Sequence, residues 1–569
     1  MRVVLLCALV VLGYAGPVPV VPAPSVETDC GTVKGKIEVA VGGTKINTYR
    51  NIPYAIPPLG ERRWAPSALL SEGTCWEGEH DGTQSEVVQC VNIILSTVFS
   101  NGPAGSPVRG VEDCLVLNVR TPDVTGSRPV ILWIHGGGLV AGNGEEAGYH
   151  QDADYTEAVD VVSVNINYRL NLMGFMTHED FDSEGNFGNY GFTDQVTALR
   201  WVKANIAKFG GDPSQVTIMG ESGGGTSILG LVSSPLANNL FNNGIALSPA
   251  PFWNTTYADA NQLYKTFVSN AGCDGGETKE ERRACMTSLP LDGVVAAGFP
   301  LINPLVLTGE GYFNFPMRYG AKYEAFGMAV VDPIVVPQAP KDLKDASYTP
   351  NSRVKVIISN TAEENGVVTL GPKGINIFKN STAGWEGLKQ TLVDLSANII
   401  GEEKAGPLLD DLWAKQVYPD TSSSNWCPQK AWNVITTDLR GTCPLNNLAV
   451  DMAENKDFDI YRLYITHALP GLPSYHTWDT LALFGLKSPS LGNIPSFAQE
   501  HIEHFKDAMQ ALVKQIAYGS EDKQGWATYP TNTKVLTNSA PWSTVVENNE
   551  GGQCDFWAAA GLDQYGWQN

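Results

Sequence analysis

Apolar stretches of two kinds alternate along the chain. Residues 129–134, PVILWI, are a continuous apolar run of strand length, and residues 160–168, DVVSVNINY, are a second run rich in β-branched side chains. In TDQVTALRWVKANIAKFG the apolar residues Val196, Leu199, Val202 and Ile206 recur at helical spacing, so a helix is predicted there. FGGDPSQ breaks that helix, VTIM reads as a short strand, and GESGGGTS at 220–227 leads into a helix start at TSILGLV. VKVIIS at 354–359 and FDIYRLYI at 458–465 read as further strands, and SFAQEHIEHFKDAMQALVKQIAYG reads as an amphipathic helix. Strands alternating with helices predict an α/β protein with a mainly parallel sheet. The sequence carries no internal repeat.

That arrangement changes how GESGGGTS reads. Gly-x-Ser-x-Gly is short and the chain has 58 glycines, so the pattern alone is compatible with a flexible glycine loop. Between a strand and a helix start, however, it has the context of a nucleophile elbow, with Ser222 on the turn. A serine hydroxyl needs a base to take its proton, a carboxylate to orient that base, and N–H donors for the oxyanion. HGGG at 135–138, directly after the PVILWI strand, supplies unhindered glycine amides; its other reading is a flexible turn. NTAEENG after VKVIIS offers two adjacent carboxylates, Glu363 and Glu364. Four histidines follow it: His467, His476, His501 and His504. His501 and His504, spaced i,i+3 on the amphipathic helix, form a metal pair or, without a third ligand, a solvated face.

Composition narrows the class. With 38 Lys+Arg against 60 Asp+Glu the net charge is −22, which opposes binding to phosphate backbones; no nucleic-acid partner is expected. The N-terminus, MRVVLLCALVVLGYAG, reads as a secretory signal peptide over residues 1–15, since its apolar run is shorter than the ~20 residues of a membrane span. A Pro-rich leader over 16–29 and one domain over 30–569 follow, with no transmembrane span, and a secreted, extracellular protein is expected. Nine cysteines remain beyond Cys7, none in a CxxC pair, and in an oxidising compartment they read as disulfides with at least one left over. Asn254 and Asn380 open sequons for surface glycans.

The segments IPYAIPPLGERRW, EDCLVLNVRTP, HGGG, NYRLNLMGF and GNYGFTDQVTALRWVKANIAKFGGDPSQVTIMGESGGG together resemble the type-B carboxylesterase/cholinesterase family in order and spacing. The resemblance runs from about residue 30 to Trp557. It implies an α/β-hydrolase fold, a mostly parallel sheet flanked by helices with large insertions around an active-site gorge. It implies a catalytic triad in the order Ser222, Glu364, His476. The acid is placed by the family's Thr-x-x-Glu-Gly form; Glu363 stays open because Asn365 intervenes before Gly366. His476 opens HTWDTLALFG, similar to the family's catalytic stretch, whereas His467 resembles its structural histidine. The oxyanion donors are the amides of Gly137, Gly138 and Gly223. The resemblance maps the family's disulfides to Cys90 with Cys114, Cys273 with Cys285, and Cys443 with Cys554; it assigns no pairing to Cys30, Cys75 and Cys427.

The resemblance implies a serine carboxylic-ester hydrolase that needs no metal or cofactor and takes a small-molecule or lipid-like ester. Lipase or cholesterol-ester-type activity, choline-ester hydrolysis and a non-catalytic adhesion role are the alternatives within the family. The adhesion members lack the serine or histidine that this chain keeps. The choline-ester members carry a tryptophan shortly before their EDC cysteine, where SNGPAGSPVRGVEDC has no aromatic residue and Phe99 lies just outside. Phe252 and Trp253 of PAPFW either crowd the acyl pocket or pack the core. Where the family commonly has alanine after the serine this chain has Gly223, so Gly223→Ala is expected to be tolerated.

Overall fold

The computed structural model describes residues 23–560 apart from 94–107, 182–187, 252–255, 299–328, 346–353, 367–386, 391, 394–400, 415–427, 456, 469–472, 486–495, 521–524, 538–542 and 546–552. Its centre is an eleven-stranded sheet. The strands are β1 (Lys36–Val39), β2 (Lys45–Pro53), β3 (Val116–Thr121), β4 (Arg128–Ile134), β5 (Val162–Ile166), β6 (Gly211–Glu221), β7 (Asn243–Leu247), β8 (Val354–Thr361), β9 (Phe458–Ile465), β10 (Thr533–Leu536) and β11 (Ser543–Val545). They lie in the order β11-β10-β9-β8-β7-β6-β4-β5-β3-β2-β1. From β5 across to β10 every neighbouring pair is parallel, while β11 at one edge and β1–β3 at the other pair antiparallel. This is the mixed sheet of an α/β-hydrolase fold.

Strand periodicity explains the layers. In β4, Val130, Leu132 and Ile134 pack on one face with Val196, Leu199, Val202 and Ile206, the four residues spaced for a helix in the sequence. Ile131 and Trp133 face the other way, into a core with Met219, Ile245, Ile357, Leu463, Phe505 and Met509. A strand covered on both faces reads as an unbroken apolar run, which is why PVILWI lacks alternation. The helices that concern the site are α1 (Ala153–Val159), α2 (Tyr190–Asn205), α3 (Gly223–Val232), α4 (Cys443–Ala453), α5 (Trp478–Leu483) and α6 (Ser496–Ala517). Helix α2 is buried more completely than one apolar stripe requires: Asp194 is wholly enclosed and pairs with Arg169 at 2.8 Å. The VTIM strand is longer than its apolar core, since Gly211 already pairs with Arg128 before the register shifts and resumes at Val216.

Parallel pairing sends β4, β6, β7, β8 and β9 to one common edge. Gly220 is level with Ile134 and Ala246, Glu221 with Leu247, and Thr361 with Ile465. The connections leaving these carboxyl ends therefore converge, as ligand-binding loops of open α/β sheets do.

Ser25–Thr28, inside the segment read as a leader, pairs antiparallel with Gly31–Lys34. Disulfides join Cys90 to Cys114, Cys273 to Cys285 and Cys443 to Cys554, and a fourth joins Cys30 to Cys75, two of the three cysteines left unassigned by the sequence. The signal segment, Phe99, Phe252, Trp253, Asn254, Asn380 and Cys427 lie outside the described residues. Among the described residues no helix is long and apolar enough to cross a membrane.

Ile218, on the central strand β6, is fully buried against the α2 face. Ile218→Ala is expected to cost about 2–5 kcal/mol of unfolding free energy in urea titration; a loss below about 1 kcal/mol would show that this layer repacks freely.

Candidate active site

The site begins with a backbone constraint. Ser222 sits between the end of β6 and the start of α3 with φ 55° and ψ −121°, a strained conformation for a residue with a side chain. Its amide donates to Leu247 O at 2.9 Å, holding the turn against β7. The flanking glycines have no room for side chains. A Cβ at Gly220 would lie 2.6 Å from the Gly224 carbonyl, and one at Gly224 would lie 2.0 Å from Ile134 O. Both glycines of Gly-x-Ser-x-Gly are thus required by contact, and the turn leaves Ser222 half-buried at the sheet edge.

The HGGG segment, leaving β4, lies against this turn. A Cβ at Gly136 would come 3.2 Å from Ser222 Cβ. The loop closes on itself, because Gly137 O accepts from the amides of Val140 (3.1 Å) and Ala141 (3.0 Å). His135 Nδ1 bonds Gly136 O at 2.8 Å, and Asn92 Oδ1 accepts from the Gly142 amide at 2.6 Å. A carbonyl acceptor requires Nδ1 of His135 to carry the proton, and burial holds this imidazole down to about 4, so it stays neutral. The amides of Gly137 and Gly138 have no acceptor among the described residues.

Gly223 is where the structure departs from the expectation drawn from the family. A Cβ at this position would sit 2.8 Å from Leu139 N and 2.9 Å from Gly138 N. These are backbone atoms of the loop that carries the candidate oxyanion donors, so alanine fits only if the loop moves back. The expectation that Gly223→Ala is tolerated gives way to that contact.

Glu364 and His476 meet directly. Thr361 ends β8, and its amide donates to Glu364 Oε1 at 2.6 Å, which fixes the turn carrying the acid. Ser248 Oγ donates to the same oxygen at 2.7 Å, and Glu364 Oε2 bonds His476 Nδ1 at 2.5 Å. The His476 amide donates to Glu364 O at 3.1 Å, so backbone and side chain are both tied. Burial raises the Glu364 pKa, but the His476 charge and the three side-chain and backbone hydrogen bonds outweigh it and hold the carboxyl below its usual range. Its neighbour Glu363 faces elsewhere, accepting from Asn433 Nδ2 at 3.3 Å. Of the two carboxylates left open by the sequence, Glu364 is the one at His476.

His476 Nε2 lies 3.2 Å from Glu221 Oε1. Glu221 immediately precedes Ser222, which brings the imidazole to the elbow. Burial pulls the His476 pKa down, but the carboxylates of Glu221, Glu364 and Asp479 reverse this and push it up to about 9. Burial likewise pushes Glu221 up to about 8 and Asp479 up to about 6, His476 opposing the rise in each case. The groups share their protons.

The other histidines lie apart from this centre. His467 is fully buried with its ring 4.5 Å from Phe505 and stacked beside Trp478; neither ring nitrogen has a partner among the described residues. Its ring centroid is 6.3 Å from that of His501 on α6. Among the described residues no group of three His, Cys, Asp or Glu side chains could hold a metal ion.

Three groups at the centre, Ser248, Glu221 and Asp479, carry no distinguishing signal in the sequence. Ser248 lies just past β7 with φ 43°, a backbone state that LSPAP does not advertise. Glu221 occupies the variable position of Gly-x-Ser-x-Gly, where the pattern specifies no residue type.

The sequence model of the carboxylesterase family matches residues 22–557. The chain is 33% identical to pyrethroid hydrolase Ces2e of Rattus norvegicus over 362 residues, 60% of this chain and 61% of that protein. It is 34% identical to liver carboxylesterase 1 of Oryctolagus cuniculus over 352 residues, 59% of each. It is 34% identical to the cocaine esterase of Homo sapiens over 345 residues, 57% of this chain and 60% of that protein. These alignments span about three fifths of each relative's length. With the family match running almost end to end over a hydrolase sheet and its elbow, the chain belongs to the carboxylesterase family.

Proposed function

We propose that the protein is a secreted serine hydrolase that cleaves carboxylic esters to acid and alcohol through an acyl-enzyme. The observation that carries this reading is the convergence on one sheet edge of the Ser222 elbow, the unpaired glycine amides beside it, and His476 held by Glu364 at 2.5 Å. Ser222 Oγ attacks the ester carbonyl while His476 Nε2 takes its proton. Glu364 at Nδ1 fixes the tautomer that leaves Nε2 unprotonated, and stabilises the imidazolium that forms. The amides of Gly137, Gly138 and Gly223 receive the negative charge that develops on the carbonyl oxygen, each donor worth on the order of 3 kcal/mol. His476 then protonates the departing alcohol, and water activated by the same nitrogen releases the acid. No step calls on a metal or cofactor. The substrates in the relatives' names, a pyrethroid and cocaine, support an ester of small-molecule size for this chain. The signal-like N-terminus and the disulfides support secretion.

The nucleophile is tested by a fluorophosphonate probe. Folded protein is expected to be labelled at Ser222, and Ser222→Ala to abolish labelling and lower kcat for a p-nitrophenyl ester by about 10⁴–10⁶-fold. Folded wild-type protein that resists the probe would remove the enzyme reading.

Gly223→Ala is expected to lower kcat by roughly ten- to a hundredfold with KM little changed, because the methyl displaces amides that act only in the transition state. Unchanged kcat would mean that the 138–139 backbone recedes without losing its donors.

The pH dependence follows from the sign of the His476 shift. His476 must be unprotonated to accept the Ser222 proton, so a pKa raised from 6.5 toward about 9 moves the acidic limb of kcat/KM to higher pH. Glu221→Gln removes a negative charge from Nε2 and is expected to move that limb down by about one unit. A limb that stays in place or rises in this variant would show that Glu221 does not support the imidazolium.

A further inference from the structure

Arg462 is a buried cation to which neither the sequence nor the proposed mechanism gives a task. It lies on β9 level with Ile358 of β8 and is completely enclosed. Its guanidinium donates from Nη1 to Ile358 O at 2.7 Å, from Nη2 to Asn360 Oδ1 at 2.6 Å, and from Nε to Asn446 Oδ1 at 3.0 Å. All three acceptors are neutral, and among the described residues it has no carboxylate partner. An enclosed cation without a counter-ion is costly and calls for a compensating charge nearby.

The acceptors lead to the acid of the site. Because guanidinium is a donor only, Asn360 must turn its Oδ1 toward Arg462 and its amide nitrogen the other way. That nitrogen donates to Thr361 O at 2.9 Å and to Thr442 Oγ1 at 3.1 Å. The amide of the same Thr361 donates to Glu364 Oε1. Thr442 closes the π-helical turn Asp438–Thr442, in which Gly441 comes close enough for a Cβ there to lie 3.8 Å from Glu364 Cγ. Two walls of the Glu364 pocket are thus held through one asparagine that Arg462 orients.

We propose that Arg462, acting through Asn360, is a positioning residue for Glu364: it places a fixed positive charge behind the carboxylate and locks the turn that presents it to His476. This rests on Glu364 orienting His476 as proposed above. The ionisable groups acting on Arg462 are Tyr529, Tyr464 and Glu364, and of these only Glu364 is an anion at neutral pH. Burial pulls the guanidinium down to about 10, which leaves it charged under those conditions. Glu364 in turn faces His476, Ser248 and the Thr361 amide, and His476 faces Glu221, Glu364 and Asp479. Removing the Arg462 charge makes both the Glu364 anion and the neutral His476 harder to keep, so both effects move the acidic limb of activity upward.

The test measures kcat, KM and the acidic limb with a short-chain p-nitrophenyl ester for Arg462→Met, Arg462→Lys, Asn360→Asp and Glu364→Gln. Arg462→Met is expected to lower kcat about tenfold with KM within about twofold, and to raise the limb by about half a unit. Arg462→Lys is expected to return the limb to its original place while kcat stays reduced, because the charge is kept and the fork is lost. Asn360→Asp, nearly the same shape, cancels the cation locally and is expected to raise the limb as well; it decides the matter if Arg462→Met does not fold. An unmoved limb in the folded variants overturns the proposal. If Glu364→Gln itself leaves kcat unchanged, the assignment of the acid is what fails.

Discussion

The contact on which the site depends is the approach of α3 to the end of β4. Two glycines without side chains let the helix start directly against Ile134 O, and Ser222 between them takes the strained conformation with positive φ. The strain is held by the sheet itself, through the Ser222 amide on Leu247 O and the parallel rungs on either side. Once α3 is seated, the HGGG loop has little freedom: it must fit between the elbow and its own tethers at Asn92 and His135. The missing side chain at Gly223 belongs to the same packing problem. A loop drawn this close to the elbow aims its amides at one small volume and excludes a methyl group from it.

Electrostatics adds a second constraint, since three carboxylates surround one imidazole with little water to screen them. Glu364 is kept ionised by hydrogen bonds from Ser248 and Thr361 as well as by His476. Asp479 accepts from the amide and hydroxyl of Thr480, yet burial drives both it and Glu221 toward the neutral form. Like carboxylates in one cavity thus take different protonation states because only Glu364 adds a direct bond to His476 Nδ1 to its amide and hydroxyl donors. The site distinguishes the acid that orients the base from those that tune it by what donates to each.

Much of this was legible in the sequence where local rules act alone. PVILWI, VTIM and the 3.6-residue spacing of α2 specify buried strands and a packed helix because each needs only its own residues to show a period. The elbow was legible because its glycines and serine are consecutive. The rest depended on folds of the chain that sequence spacing does not measure. Glu363 and Glu364 are adjacent, and which one meets His476 is decided by a turn pinned from Thr361 and Ser248. Ser248 reaches Glu364 across 116 positions. Arg462 lies in FDIYRLYI, whose strand pattern does not mark it out, and it is wholly enclosed. The tightness at Gly223 is likewise invisible to spacing, because it is set by how near the backbone of Gly138 and Leu139 lies.

The order of strands in the sheet has a consequence for the protein's own synthesis. The elbow, its supporting strands β4, β6 and β7, and the glycine loop all precede residue 250, whereas Glu364 and His476 follow strands β8 and β9, which pair along their full lengths. A chain made from its N-terminus completes the serine turn 254 residues before the histidine is added. At common rates of translation that interval is roughly ten to fifty seconds. On the proposed reading, the serine of that turn spends this interval without the imidazole and carboxylate that would activate it, and the completed site waits on the strands made last.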